Sequence, residues 1–493
     1  MSAVPACDCL DVLIVGAGLS GIGAACYLQK EHPAKSWAIL EARAAIGGTW
    51  DLFRYPGVRS DSDLHTFGYA FKPWVHAQSI AGAQDILAYL RQAAEENGIV
   101  RWLRLQHKVV GAAWSSADAL WTVDVERLDT GARQQMACRW LFCAAGYYHH
   151  ERGHTPRFEG QESFQGQIVH PQHWPEALAW AGKRVLVIGS GATAVTLVPA
   201  MAGQAAHVTM LQRTPSYVLS RPSVDVLANM LRKILPGSWA YALTRRKNIA
   251  VAHAIWRLCR SYPLAARRLI RWQNQRALPK GYPVDEHFNP PYSPWEQRLC
   301  IAPDGDLFQA LSAGKASVVT DQIATFTAQG VRLKSGRELP ADIVVTATGL
   351  NLQLLGGMRL CVDGEQVDPS RKLAFKGMML DGIPNFVFAM GYTHASWTLK
   401  VGPLCAHFCR LLSHMDQYGH AICCAERPAH DMATRPLWDF GAGYVQRALG
   451  QLPRQGLEAP WVMATDWQHD ARVLGRGPVQ DPCLRFTGGI TAA

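Results

Sequence analysis

Asp11-Val-Leu-Ile-Val15-Gly16-Ala-Gly18-Leu-Ser-Gly21 decides the fold. A short Val/Ile-rich run reads as a buried parallel strand, and it feeds directly into G-x-G-x-x-G. A helical stretch follows to about Lys30, and a second apolar run, Ser36–Leu40, ends at Glu41. That is a βαβ unit with an acid twenty residues after the last glycine, the full context of a dinucleotide fingerprint. Gly16 would make the tight turn, Gly18 would let the backbone approach a pyrophosphate, and Gly21 would allow close helix–strand packing. The pyrophosphate would rest on the helix N-terminus, and Glu41 would accept from ribose hydroxyls.

The pattern recurs. Arg184–Ile188 is a second strand, Gly189-Ser-Gly191-Ala192-Thr193-Ala194 a second turn, Thr193–Ala202 a helix and His207–Leu211 the next strand. Here the strand ends at Gln212-Arg213-Thr214 rather than at an acid. A carboxylate would bind a ribose 2′-hydroxyl and repel a 2′-phosphate, whereas an arginine with a neighbouring hydroxyl does the reverse. Two nucleotides are therefore expected, the second of them NADPH. The fold class is α/β, with two Rossmann-type domains and a basic helical insertion. Residues 1–150 and 340–493 are assigned to the first domain, 151–220 and 286–339 to the second, and 221–285 to the insertion.

Bulk composition agrees. A chain of 493 residues is too long for one core, and 48% hydrophobic with 18% charged residues is ordinary for a globular protein. No apolar run reaches 18 residues, and no basic n-region precedes the first strand, so neither a spanning helix nor a secretory signal is expected. The thirteen cysteines show no C-x-x-C spacing, which disfavours a redox dithiol or zinc site and fits a reduced, cytoplasmic protein. The net charge of +10 is concentrated: Arg221 to Lys280 holds thirteen Lys/Arg and one acid. A solvated helical face is the simpler reading of that stretch, and a surface for peripheral membrane association or an acidic partner is the other. It carries no nucleic-acid signature. The histidine groups 149, 150, 154 and 170, 173 lack ligand partners at metal spacing.

Three further stretches narrow the class. Phe164-Gln-Gly166-Gln-Ile-Val-His170-Pro-Gln-His-Trp174-Pro175 fits F-x-G-x-x-x-H-x-x-x-W-P and lies between the two glycine turns. Gly47-Gly48-Thr49-Trp50, Tyr55-Pro56-Gly57 and Asp61 fit G-G-x-W-x4-Y-P-G-x3-D. Trp295-Glu-Gln297-Arg298-Leu-Cys follows an aromatic, proline-rich segment. Together these resemble the type I Baeyer–Villiger monooxygenases, class B flavoproteins, and within them the ethionamide-activating bacterial group. The resemblance covers nearly the whole chain.

It implies FAD at the first site (Gly16, Gly18, Gly21, Glu41, Gly48, Thr49, Trp50, Asp61) and NADPH at the second (Gly189, Gly191, Ala192, Thr193, Arg213, Thr214, Gln297). Phe164, Gly166, His170 and Trp174 would form the hinge between the domains. Arg298 would stabilise the anionic C4a-peroxyflavin, and Asp61 would orient that arginine. The family usually has lysine where this chain has Gln297. A ketone would gain one oxygen from O2 to become an ester or lactone, with sulfur oxidation alongside. A flavin S-/N-monooxygenase acting mainly on heteroatoms is the alternative, although Trp174-Pro175 favours the Baeyer–Villiger class. A disulfide reductase is disfavoured by the missing dithiol, and a non-catalytic flavoprotein docked on a membrane has only the basic insertion in its support. Trp50, Tyr217, Tyr292 and Trp397 are candidate pocket walls.

Overall fold

The computed structural model describes residues 9–297, 299–429 and 432–489. Two sheets organise them. In the first, of nine strands, Cys9–Val15 runs parallel to Trp37–Leu40 on one side and to Arg133–Cys143 on the other, with Val15 level with both Leu40 and Cys143. Such runs are apolar throughout because both faces of the sheet are covered. Helix Leu19–Glu31 buries its small-residue face, and Thr398–Tyr418 packs against it. His107–Ser115, Leu120–Arg127 and Arg133–Cys143 form an antiparallel meander. The distant strands Arg359–Val362 and Phe386–Phe388, with the short edge strands Leu103–Arg104 and Glu365–Gln366, complete the sheet.

The second sheet is entirely parallel. Its order is Ala316–Thr320, His207–Gln212, Arg184–Ile188, Ile343–Thr346 and Gln167–Val169, with helix Ala192–Ala202 packed against it. Ile343–Thr346 pairs with Arg184–Ile188 at the sheet centre, so the boundary expected at 339/340 falls too early. An apolar run of four residues does not by itself say which of two sheets it will join. The chain passes between the domains twice, along Tyr148–Gly153 and Leu350–Leu352, and the two crossings pair antiparallel.

The insertion comprises helices Val226–Ile234, Gly237–Ser261 and Pro263–Ala277. It is more than a solvated face. Arg245 donates to the carbonyls of His65, Thr66 and Gly68, and the Tyr241 hydroxyl donates to the Tyr69 carbonyl. Ile249 is buried against Tyr392 and Leu399. Beyond Arg427, short strands and buried Trp438 and Trp461 cap the first domain. No described helix is long and apolar enough to cross a membrane.

Candidate active site

Both glycine turns do what their spacing requires. Gly16 has φ +100°, and a Cβ there would lie 2.8 Å from the Ala144 carbonyl oxygen. At Gly21 a Cβ would be 1.8 Å from the Gly16 carbonyl oxygen, so only glycine lets the helix lie this close. Gly189 has φ +140°, and a Cβ there would lie 2.3 Å from the Ala347 carbonyl oxygen, whereas a Cβ on Gly191 would meet nothing within 4 Å. Neither Leu19–Glu31 nor Ala192–Ala202 has a side-chain N-cap. Their first N–H groups are thus left for a ligand, and the helix dipole favours an anionic one.

The two turns meet at one cavity of about 500 Å³. Gly16, Gly18, Glu41, Gly48, Thr49, Trp50 and Asp61 line it from the first domain, and Ala192 and Thr193 from the second. Glu41 is buried and accepts from the Ala17 N–H at 2.7 Å and the Arg43 N–H at 2.9 Å. Burial pushes its carboxyl above the usual range, and the backbone N–H groups oppose that shift. Arg43 also lines the cavity and is held by buried Asp51 at 2.6 Å.

The Tyr-Pro-Gly loop joins the domains. The Tyr55 hydroxyl hydrogen-bonds with Thr193, although burial raises its pKa to about 12. Gly57, at φ +74°, approaches Ala200 so closely that a Cβ would lie 2.6 Å from the alanine's own. The loop beyond the first nucleotide turn therefore rests directly on the helix of the second.

Gly21, Gly189 and Gly191 shape the turns without lining this cavity. Arg213 is exposed at the end of its strand, and Ser190 Oγ donates to the Thr214 carbonyl, fixing that loop to the second glycine turn. Gln297 packs near Gly441 and, like Arg213, lies away from the cavity. Arg298 lies outside the described residues. Ile301, on the strand Cys300–Pro303, lines the cavity and places that stretch of chain beside it.

His170 sits at the paired crossings. Its Nδ1 accepts from the Gln172 N–H and its Nε2 is 3.2 Å from the Gly349 carbonyl oxygen, a pairing that suits the neutral Nε2–H tautomer. Burial lowers its pKa in agreement. The ring fills the space beside Gly153, where a Cβ would be 2.0 Å from Cε1. A Cβ on Gly166 would lie 2.4 Å from the Asp342 carbonyl oxygen, Phe164 packs on Phe326, and Trp174 packs edge-on to Trp180.

Trp50 and Trp397 line the cavity, and Trp397 donates to Ser20 Oγ at 2.7 Å. Tyr217 and Tyr292 do not. They pack on each other, and the Tyr217 hydroxyl is consumed by the Tyr292 carbonyl, so the expectation for both is corrected. Sequence reasoning missed Tyr147, Tyr148, Tyr392 and Thr393. The signal for the first two was Gly146, at φ +73°, directly after the strand Arg133–Cys143. A smaller cavity of about 130 Å³ adjoins the first, shares Asp61, Ser62, Ile301, Thr393 and Ala395 with it, and is walled by Ile249 and His253 of the insertion. Among the described residues no cluster could hold a metal ion.

Two Rossmann domains that bring their glycine turns to one cavity define an oxidoreductase working with two dinucleotides. Comparison with known proteins makes the class definite. A model of flavin-binding monooxygenase-like proteins matches residues 74–273, and one of NAD(P)-binding Rossmann-like domains matches 14–77. The chain is 51% identical over 478 residues, 97% of each, to the FAD-containing monooxygenase EthA of Mycobacterium tuberculosis H37Rv. It is 48% identical to that of Mycolicibacterium smegmatis over the same share of both chains. The protein belongs to the EthA family of FAD-containing, NADPH-dependent flavin monooxygenases. Its fold matches a steroid monooxygenase bound to NADP (TM-score 0.76, 21% identity, 97% of this chain and 100% of that one). It also matches an open cyclohexanone monooxygenase (TM-score 0.76, 17% identity, 98% and 100%).

Proposed function

We propose that this enzyme is a Baeyer–Villiger monooxygenase that consumes NADPH and O2 and converts a ketone into an ester or lactone plus water. The observation that carries the reading is the direct seating of the Tyr55-Pro-Gly57 loop and Asp61 between the two nucleotide turns, over one cavity. FAD, when bound, accepts hydride from NADPH and activates oxygen.

The chain's own residues supply position and charge. The N–H groups at Gly18 and at the start of Leu19–Glu31 hold the FAD pyrophosphate, and Glu41 takes a ribose hydroxyl. Gly191, Ala192 and Thr193 hold NADPH, with Arg213 and Thr214 on its 2′-phosphate. Gln297 replaces a lysine there and leaves Arg213 as the main cation. Asp61 would orient Arg298, and the fixed charge of that arginine would supply the electrostatic stabilisation that oxygen activation needs. His170, wedged where the chain crosses between domains, sets how closely they dock, with Phe164, Gly166 and Trp174 holding the segment around it. Walls of Trp50, Tyr147, Tyr392 and Trp397 exclude water.

Oxidation of sulfur or nitrogen by the same site is the second reading, favoured by the similarity to a family defined as monooxygenases without a stated substrate. Competing an aliphatic 2-ketone against a thioether, with NADPH and then NADH as donor, separates the readings. Ester formed one-for-one with NADPH supports the ketone reading, and sulfoxide without ester replaces it. The basic, apolar outer surface of the insertion suits peripheral contact with an anionic bilayer.

A further inference from the structure

The insertion exposes what a soluble protein normally buries. On Val226–Ile234, Val226, Met230 and Ile234 recur at i, i+4 and i+8, with Val226 75% and Ile234 70% exposed. Trp239 and Leu243 continue the stripe on Gly237–Ser261, and Leu264, Leu269 and Trp272 are exposed on Pro263–Ala277. Three consecutive helices, each packed on the next, thus all expose large apolar side chains, exposure of a kind that marks an interaction site.

Charge is interleaved with it. Seven of the thirteen cations are exposed, Lys233, Arg246, Arg257, Arg260, Arg268, Arg276 and Lys280, and among the described residues none of them makes an ion pair. Asp225, the sole acid of the stretch, is already taken by Lys247 at 2.7 Å. Arg276 lies 4.4 Å from the Trp272 ring, so cation and aromatic are held side by side.

This combination discriminates between partners. The core of a protein interface is depleted of charge, whereas here arginines alternate with the apolar side chains. A bilayer headgroup zone takes both, with Trp and Tyr at the interface, aliphatic side chains below and cations on anionic lipid. We infer that this three-helix face docks on an anionic membrane surface. Another face of the central helix reaches the active site, since Ile249 and His253 line the smaller cavity and Trp256 stacks on His394 beside it. The partner of the site is accordingly a lipid surface, from which an apolar substrate can be drawn. This last clause rests on the ketone reading, but the docking does not.

The test is co-sedimentation of FAD-loaded enzyme with phosphatidylcholine vesicles, with and without phosphatidylglycerol. Binding is expected only where phosphatidylglycerol is present and should weaken as salt rises. Val226→Asp/Ile234→Asp should reduce the bound fraction roughly tenfold or more, given what burial of one aliphatic side chain contributes, and Arg246→Ser/Arg257→Ser should do likewise, given what each cation near an anionic surface contributes. All four positions are exposed, so folding is retained. Turnover of a small, water-soluble ketone without vesicles reports the chemistry separately and should be unchanged in every variant. No binding to phosphatidylglycerol vesicles, or equal binding by the variants, overturns the inference. So does a concentration-dependent dimer that the Val226/Ile234 pair abolishes, because the face would then belong to a second copy of the chain.

Discussion

Single side chains divide the work between the two nucleotides. Arg213 is the cation at the end of its strand, and among the described residues it is exposed and makes no ion pair. Arg213→Ala should raise KM for NADPH about 10- to 100-fold, the value of a charge-assisted hydrogen bond, while leaving KM for NADH nearly unchanged. Steady-state kinetics with both donors decide this, and parallel losses would show that Arg213 does not read the 2′-phosphate. Arg298→Ala should leave reduction of FAD by NADPH largely intact and lower ester formation by roughly 10²- to 10³-fold, as removing a group aimed at developing charge does. Stopped-flow reduction and product analysis separate the two effects, and normal ester yield would remove Arg298 from the chemistry. The glycine turns were legible from sequence because their geometry is local. Tyr217 and Tyr292 were not, since whether an aromatic ring lines a pocket depends on segments far away in the chain.

At the scale of elements, the Tyr-Pro-Gly loop rests on helix Ala192–Ala202, and the proposed hydride delivery depends on that joint. Gly57 combines a positive φ with a contact that leaves no room for Cβ, so Gly57→Val would push the loop off the helix. The variant should still bind FAD, whose turn lies elsewhere, while its reduction by NADPH slows about tenfold or more, because small misplacements are costly for transfer between bound groups. Unchanged reduction would mean that the loop does not set domain docking. The βαβ units themselves were readable because apolar runs, glycine turns and strand-end residues occur together within thirty or so residues. The allegiance of Ile343–Thr346 was not, because its pairing with Arg184–Ile188 spans a long stretch of chain. The insertion's helices were evident from composition, but its contacts with the first domain, such as Arg245 on three carbonyls, are tertiary and leave no periodic trace.

For the whole molecule, buried histidines set the response to acid. Burial holds His394 down to about 4 and His407 to about 3, in the latter case with Lys376 and Arg410 adding repulsion. In the unfolded chain both take up protons near pH 6.5. The folded state cannot follow until much lower pH, so stability is full above about 6.5 and falls as pH drops from there toward 4, by on the order of 1 kcal/mol or more per group. Thermal unfolding should show a clearly lower Tm at pH 5 than at pH 7, and a flat profile across that interval would contradict the neutral, buried assignment. The same molecule-wide view explains why the cavity was only half visible beforehand. One wall comes from the N-terminal glycine turn, and the other from Tyr147, Tyr148 and Tyr392, which only the folded chain brings together.

In the proposed reaction this two-nucleotide cavity inserts oxygen beside a ketone carbonyl. FAD-loaded enzyme with NADPH, an aliphatic 2-ketone and 18O2 tests it most directly by mass spectrometry of the product. The account predicts an ester carrying one labelled oxygen. Steady consumption of NADPH with no labelled ester, while a thioether under the same conditions gains the label, would contradict it.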